Sequence, residues 1–382
     1  MHYFDWTATS PMSSHALQVF ADTAKEYPGN PSSTHPLGIL ARNRLEEERS
    51  SIASMLGASA ADIYFTSGGT EADSIVISSL LNSPSPGEII TTGIEHSAVL
   101  EWKKTLEAAG WKFTALRCPG GYLDLESLKA ALNPKVRMVC IMKVNNVTGT
   151  VLDTKALVRV VREYEKTAGR RIHIHCDAVQ ALGKIPFFPE AEDFDSAAFS
   201  AHKFCGPRGV GILYNRSRSL SSLSRGGGQE KGLRPGTENL AGICAMGAAL
   251  KDALSGMEAS YEKVLSFRKQ VEKAVSDCGR TLLSPSSDSG KEFSPYILNI
   301  SVKPLPSEVF LRIMADKGFC LSAGSACSSN SRGKAESVLA AMNIDPKDRM
   351  SSIRISFGRD NTQEEVSLLC DALSQTGREI RI

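Results

Sequence analysis

Residues 136–180 read VRMVCIMKVNNVTGTVLDTKALVRVVREYEKTAGRRIHIHCDAVQ. The run from Val136 to Val144 is apolar but for Arg137 and Lys143 and is of strand length. Thr154 to Thr167 then has helical spacing and is stopped by Gly169, and Arg171 to Cys176 reads as a strand again. Strands apolar on both faces and separated by a helix predict an α/β fold with a mostly parallel sheet flanked by helices. Outward from this stretch the pattern repeats. Glu88 to Thr92 reads as a strand and Ser97 to Ala109 as an amphipathic helix ended by Gly110, while Ser196–Ser200 and Val210–Tyr214 read as further strands. After about Ala241 the character changes: helical segments of mixed polarity lead through SPSSDSG (284–290) to a strand over Tyr296–Val302. This predicts a second, smaller α+β unit. The division expected is an N-terminal arm over 1–15 packed with the small unit, a large domain over 16–257 and a small domain over 258–382.

A chain of 382 residues, 42% hydrophobic and 23% charged, can bury a substantial core. Its 44 Lys and Arg against 42 Asp and Glu give no electrostatic reason to expect nucleic acid or a membrane surface as partner. The start, MHYFDWTATSP, lacks a basic leader followed by an apolar run, and no stretch reaches bilayer-crossing length. Nine cysteines without a CxxC pair or framework spacing read as reduced thiols in a cytoplasmic protein, most of them packing residues.

In an open parallel sheet, ligands collect at the carboxyl ends of the strands. Four polar clusters fall at or near such ends. Ser67 to Glu71 (SGGTE) follows the strand-like Ile63 to Thr66 and precedes a helical run, so free backbone N–H groups and a helix dipole would suit a phosphate. It has neither a Walker lysine nor dinucleotide spacing, and a plain turn with an N-cap competes with this reading. His175 to Gln180 (HCDAVQ) closes a strand with a carboxylate that is costly to bury unless a cation, such as a pyridinium nitrogen, pairs with it. The rival is a metal held by His173, His175 and Asp177. The two histidines face one way on a strand, the residue between them faces the other, and no further His or Cys cluster completes a shell; no metal is expected.

In the third cluster, Ser200 to Pro207 (SAHKFCGP), Lys203 follows an apolar strand in a segment too apolar for a solvated loop, which suits a Schiff-base lysine. A lysine reaching out to solvent is the ordinary alternative, and the nearby Ser200 and His202, possible phosphate donors, weigh against it. The fourth, Ser322 to Ser329 (SAGSACSS), places Cys327 among small residues, where a thiol is accessible. An incidental linker cysteine reads equally well from composition.

Taken in order, the chain resembles the NifS/IscS-type cysteine desulfurases, within the class V aminotransferase-like enzymes of pyridoxal-phosphate fold type I. The matching segments are YFD and ATSP at 3–11, GNPSSTH at 29–35, TSGGTE at 66–71, EHS at 95–97 and NN–TG at 145–149. DAVQ at 177–180, SAHK at 200–203, RPGTEN at 234–239, the small residues before Cys327 and SSIRIS at 351–356 complete them. The resemblance covers essentially the whole chain.

It implies the following roles. Lys203 carries pyridoxal 5'-phosphate and moves the substrate Cα proton, Asp177 pairs with the ring nitrogen and Gln180 bonds the phenolic oxygen. His96 stacks on the ring and assists proton transfer. Gly69, Thr70, Ser200 and His202 hold the phosphate, joined by Thr237 from the partner subunit of a homodimer. Asn146, at the cofactor, and Arg354 fix the substrate carboxylate. Cys327 takes sulfur from L-cysteine as a persulfide, releasing alanine, for an acceptor protein of the iron–sulfur or tRNA-thiolation type.

Two residues depart from the family pattern, Trp6 in place of Asn and Val147 in place of Glu; both are expected near the substrate. The sequence ends soon after the small domain, at Ile382, without the longer tail by which some relatives of the family dock a scaffold partner. A selenocysteine lyase or a class V transaminase would share the cofactor set, but transamination does not require Cys327. A non-catalytic scaffold of the same fold would not require Lys203, Asp177 and His96.

Overall fold

The structure, a computed structural model, describes residues 1–217, 220–323 and 338–379. The strands are β1 (His2–Tyr3), β2 (Ile63–Thr66), β3 (Glu88–Thr92), β4 (Lys112–Leu116), β5 (Val136–Met142), β6 (His173–Asp177) and β7 (Ser196–Ser200). They continue as β8 (Gly211–Asn215), β9 (Thr281–Leu282), β10 (Ile297–Ser301), β11 (Phe319–Cys320), β12 (Ser322–Ala323) and β13 (Ser352–Ser356). β2 to β8 form one seven-stranded sheet in the order β2-β8-β7-β6-β5-β3-β4. Its pairs are parallel from β7 through β4, whereas β8 runs antiparallel to both neighbours. All strands but β8 therefore point their carboxyl ends to one edge.

The stretch at 136–180 shows why this order arises. β5 is buried almost throughout and lies between β3 and β6, so it presents no solvent face and needs none in its sequence. The helix Thr154–Ala168 that follows is capped by Asp153, which accepts from Ala156 N at 3.0 Å, and buries Leu157, Val158, Val160 and Val161. Gly169 at φ +68° terminates it in the left-handed conformation and returns the chain to β6.

Other boundaries differ from the expectation in small, explicable ways. The helix expected over Ser97–Ala109 is two, Ser97–Leu100 and Trp102–Ala108, joined at Glu101. β5 stops at Met142, because the Lys143 and Leu152 backbones already turn toward one another. β4 follows the predicted helix unforeseen; its exposed and buried residues alternate irregularly at the sheet's edge.

A second, antiparallel sheet has the order β12-β13-β10-β9. The long helix Met257–Asp277 leads into it, and its Arg268, fully buried, bonds Glu272 and the carbonyls of Ser294 and Ile297. The N-terminal segment joins the two sheets. β1 pairs in parallel with β11, and Ser356 N donates to Phe4 O at 2.8 Å. Thr7 N then bonds Ser356 Oγ, and Ser10 N reaches His202 O beyond β7. Among the described residues no single helix is long and apolar enough to cross a bilayer.

Candidate active site

A cavity of about 510 Å³ opens where β2, β3, β5, β6 and β7 end. Each of these strands delivers residues to it at its end or in the segment that follows: Gly69 and Thr70, His96, Asn146, Asp177, and Lys203. Gln180, Ser200, His202 and Arg354 also line it. Thr237 does not. It is exposed on a separate loop, where Asn30 Nδ2 donates to its hydroxyl at 3.5 Å. Cys327 lies outside the described residues.

Asp177 ends β6 deep in the wall and accepts from Val179 N at 3.0 Å. Burial pushes its carboxyl above the usual range, opposed by the nearby His96 and Lys203. Two further carboxyl groups share this depth. Asp73 is raised well above its ordinary value by burial and by the charges of Asp177 and Glu95, and its Oδ1 lies 3.0 Å from His175 Nε2. Glu95 is pushed up to about 8, chiefly by burial; its Oε1 accepts from Thr92 Oγ1 and Met142 N, and its Oε2 is buried without a partner. Three acids crowded at low dielectric favour a cation among them.

The histidines proposed against a metal have other employment. His173 Nε2 and His175 Nδ1 each lie 2.7 Å from Ser196 Oγ, and burial lowers them to about 4 and about 3. Such rings are neutral. His202 is held near 3 by burial and by the Lys203 and Lys184 charges, with Nδ1 at 3.1 Å from Thr9 Oγ1. His96 caps the following helix, its Nδ1 accepting from Ala98 N at 3.1 Å, so that the other ring nitrogen carries the hydrogen.

Lys203 Nζ donates to the carbonyls of Thr7 and Ala8 at 2.7 and 2.8 Å. Opposite, the helix Gly69–Ser78 opens with Gly68, which supplies no side-chain cap, so the first N–H groups are left for a ligand. A Cβ at Gly69 would lie 2.4 Å from Val179 Cγ2, so only glycine lets the helix start sit this close to the β6 turn.

At the rim, Arg354 Nη1 donates to Asn146 O at 2.9 Å and Nη2 to Asp5 Oδ1 at 3.0 Å. Its Nε is buried and has no partner among the described residues, which leaves a donor for a substrate carboxylate. Val147 lines the cavity and is buried. Trp6 corrects the expectation: it does not line this cavity but walls a smaller one behind Lys203, packed on Gly358, where a Cβ would lie 2.0 Å from the ring.

Sequence reasoning overlooked Asp73, Glu95, Lys184, Asp5 and the carbonyls of Thr7 and Ala8. Asp73 had a signal, an acid inside the apolar helix run ADSIVIS, and Glu95 stood beside His96 in a quoted motif. Main-chain acceptors leave no trace in side-chain pattern.

A lysine and a buried acid facing one another at this sheet edge, with an uncapped helix start for a phosphate, fit pyridoxal 5'-phosphate in charge and in shape. Fold and site define a pyridoxal-phosphate enzyme. Residues 2–369 match the family "Aminotransferase class-V", and the chain belongs to it. It is 37% identical to a "NifS/IcsS protein homolog" of Lactobacillus delbrueckii subsp. bulgaricus, over 96% of this chain and 94% of that one. It is 36% identical to "Cysteine desulfurase IscS" of Dictyoglomus turgidum, over 99% and 95%. Among solved structures, a "NIFS-LIKE PROTEIN" superposes with a TM-score of 0.91 at 32% identity, covering 100% of both chains. The structure "SspA in complex with cysteine" does so at 0.80 and 28%, covering 95% of this chain and 100% of that one.

Proposed function

We propose that the protein is a pyridoxal-phosphate-dependent cysteine desulfurase, converting L-cysteine to L-alanine and leaving the sulfur as a persulfide on Cys327. One observation carries the choice of Cys327. The segment bearing it leaves the described structure just after Ser322 and Ala323, where Ser322 is the strand partner of Arg354, and returns at Val338, which lines the cavity. Both ends of that segment border the site.

Of the eight described cysteines, all free, none lines the cavity. Burial pushes Cys118 up to about 12 and Cys244 and Cys370 to about 11, and raises Cys140, Cys176 and Cys205, so these thiols stay protonated. Attack on sulfur needs a thiolate. The reaction balances without an external oxidant. The substrate carbon–sulfur bond breaks, a sulfur–sulfur bond to Cys327 forms, and a proton takes the place of sulfur on carbon.

When bound, pyridoxal 5'-phosphate supplies the electron sink for the pair left at the substrate α-carbon. Lys203 anchors it through Nζ and carries the α-proton. Asp177 would pair with the ring nitrogen, Gln180 would bond the phenolic oxygen and His96 would stack on the ring, while Gly69, Thr70, Ser200 and His202 would hold the phosphate. Arg354 and Asn146 orient the substrate carboxylate.

A homodimer accounts for Thr237, which completes the phosphate site of the partner. Leu37, Ile39 and Leu40 support this: they are exposed at the start of the helix Pro36–Met55, close in sequence to Asn30, which contacts Thr237. The persulfide passes its sulfur to an acceptor protein of the iron–sulfur or tRNA-thiolation type, in a cytoplasmic setting where thiols stay reduced.

The decisive test is Cys327→Ser. Cofactor absorbance and its change on adding L-cysteine should survive, whereas alanine production should stop. Mass spectrometry of the wild-type protein after brief exposure to L-cysteine should find one added sulfur on the Cys327 peptide. Alanine formed at the wild-type rate by the serine variant would refute the assignment.

A further inference from the structure

Lys184 has no part in the roles above, yet it is buried four residues after Gln180. Its Nζ donates to Gln180 Oε1 at 2.8 Å. Gln180 Nε2 in turn donates to Thr7 O at 3.1 Å, the same carbonyl that accepts Lys203 Nζ. In its charged form Lys184 only donates, and a peptide carbonyl only accepts. The two contacts therefore fix the amide from both ends, its oxygen toward Lys184 and its nitrogen toward Thr7. Nε2 has two hydrogens, and Thr7 takes one. The side chain lines the main cavity, so the second is available to an acceptor there.

Remove Lys184 and the Thr7 carbonyl alone holds the amide's orientation, so its oxygen loses the donor that fixes it from the other side. Packing alone does not explain a lysine here. A buried ammonium is costly without an acid, and the hydrogen-bond partner of Lys184 Nζ is the neutral Gln180 amide oxygen, with no carboxylate among the charges acting on it in the described residues. The charged groups that face it are Lys203 and Arg354, with the Cys205 thiol beside them; burial, then Lys203, pushes it down to about 7. A methyl or amide side chain would fill the space at lower cost.

We propose that Lys184 is a positioning residue that holds the Gln180 amide as a hydrogen-bond donor to the phenolic oxygen of the bound cofactor. The inference rests on the reading that Gln180 meets that oxygen. A donor there favours the deprotonated form of the oxygen, so losing it raises the pH at which the bound cofactor titrates.

The test is the absorbance of the bound cofactor in the full-length protein, titrated against pH, for wild type, Lys184→Met, Gln180→Leu and the double variant. Lys184→Met should raise the midpoint by about one pH unit. Gln180→Leu should raise it similarly, and the double variant should move no further than either single one. If Gln180→Leu moves nothing, the assignment of Gln180 itself falls. If Gln180→Leu moves the midpoint but Lys184→Met does not, or the two shifts add, the inference about Lys184 falls alone. Lys184→Gln, neutral and polar, serves should the methionine variant not fold. An upward shift is again expected, and an unmoved midpoint overturns the proposal.

Discussion

The floor and the rim of the cavity are built on opposite plans. The floor comes from consecutive strand ends of one sheet, and its groups are buried acids and neutral histidines whose protonation the surroundings dictate. The rim comes from segments hundreds of residues apart: Asp5 from the N-terminal segment, Asn146 after β5 and Arg354 on β13 meet through two hydrogen bonds. The floor suits a permanent cofactor, because a rigid sheet edge holds its dipoles and charges fixed through every turnover. The rim suits a substrate that enters and leaves. It is held by a few bonds, and it borders the segment that carries Cys327.

Substitutions on the two sides should therefore fail differently. The largest effect belongs to the floor. Asp177→Asn puts a neutral amide where a carboxylate should keep the cofactor's ring nitrogen protonated, and kcat for alanine formation should fall at least ~100-fold. Cofactor retention should suffer less. Turnover near wild type would remove Asp177 from this role and dissolve the contrast.

The rim should show a smaller loss of another kind. Arg354→Lys keeps the charge but loses the fork, so KM for L-cysteine should rise by roughly 10-fold or more, the scale of one charge-assisted hydrogen bond, with kcat changed less. A variant that loses kcat and keeps KM would place Arg354 with the floor.

The smallest effect is on stability. Glu95 titrates near 8 in the folded chain, far above the range of an exposed carboxyl. A raised folded pKa means that its contribution is fully present below the unfolded value and is lost as pH rises through about 8. The melting temperature of cofactor-free protein should thus fall between about pH 5 and pH 8, and Glu95→Gln should flatten that slope. An equally steep slope in the glutamine variant would show that Glu95 is not the titrating group.

Legibility followed the same division. The floor's strands could be read because a strand buried on both faces is largely apolar, and its end or the turn after it carries whatever polar group the cavity holds. Asp177, Lys203 and Gly69 stood out as polar or glycine residues directly after such runs. Trp6 was misplaced because a chain position next to a cavity-lining residue, Thr7, says nothing about which way the ring turns. Gly358, distant in sequence, supplied the space that took it.

By itself the sequence determined the α/β class, singled out Lys203 and Asp177 at strand ends, and carried the set of motifs by which the chain resembles the desulfurases. Those depend on local pattern: period, apolar runs, and residue types at short spacing. Only the tertiary structure decided that Asp73 and Glu95 crowd Asp177, that Asp5 pairs with Arg354, and that Lys184 grips Gln180 while Thr7 grips Lys203. The reason is physical. A pKa or a hydrogen bond depends on distance and burial through space, and folding brings together residues whose separation along the chain carries no record of either.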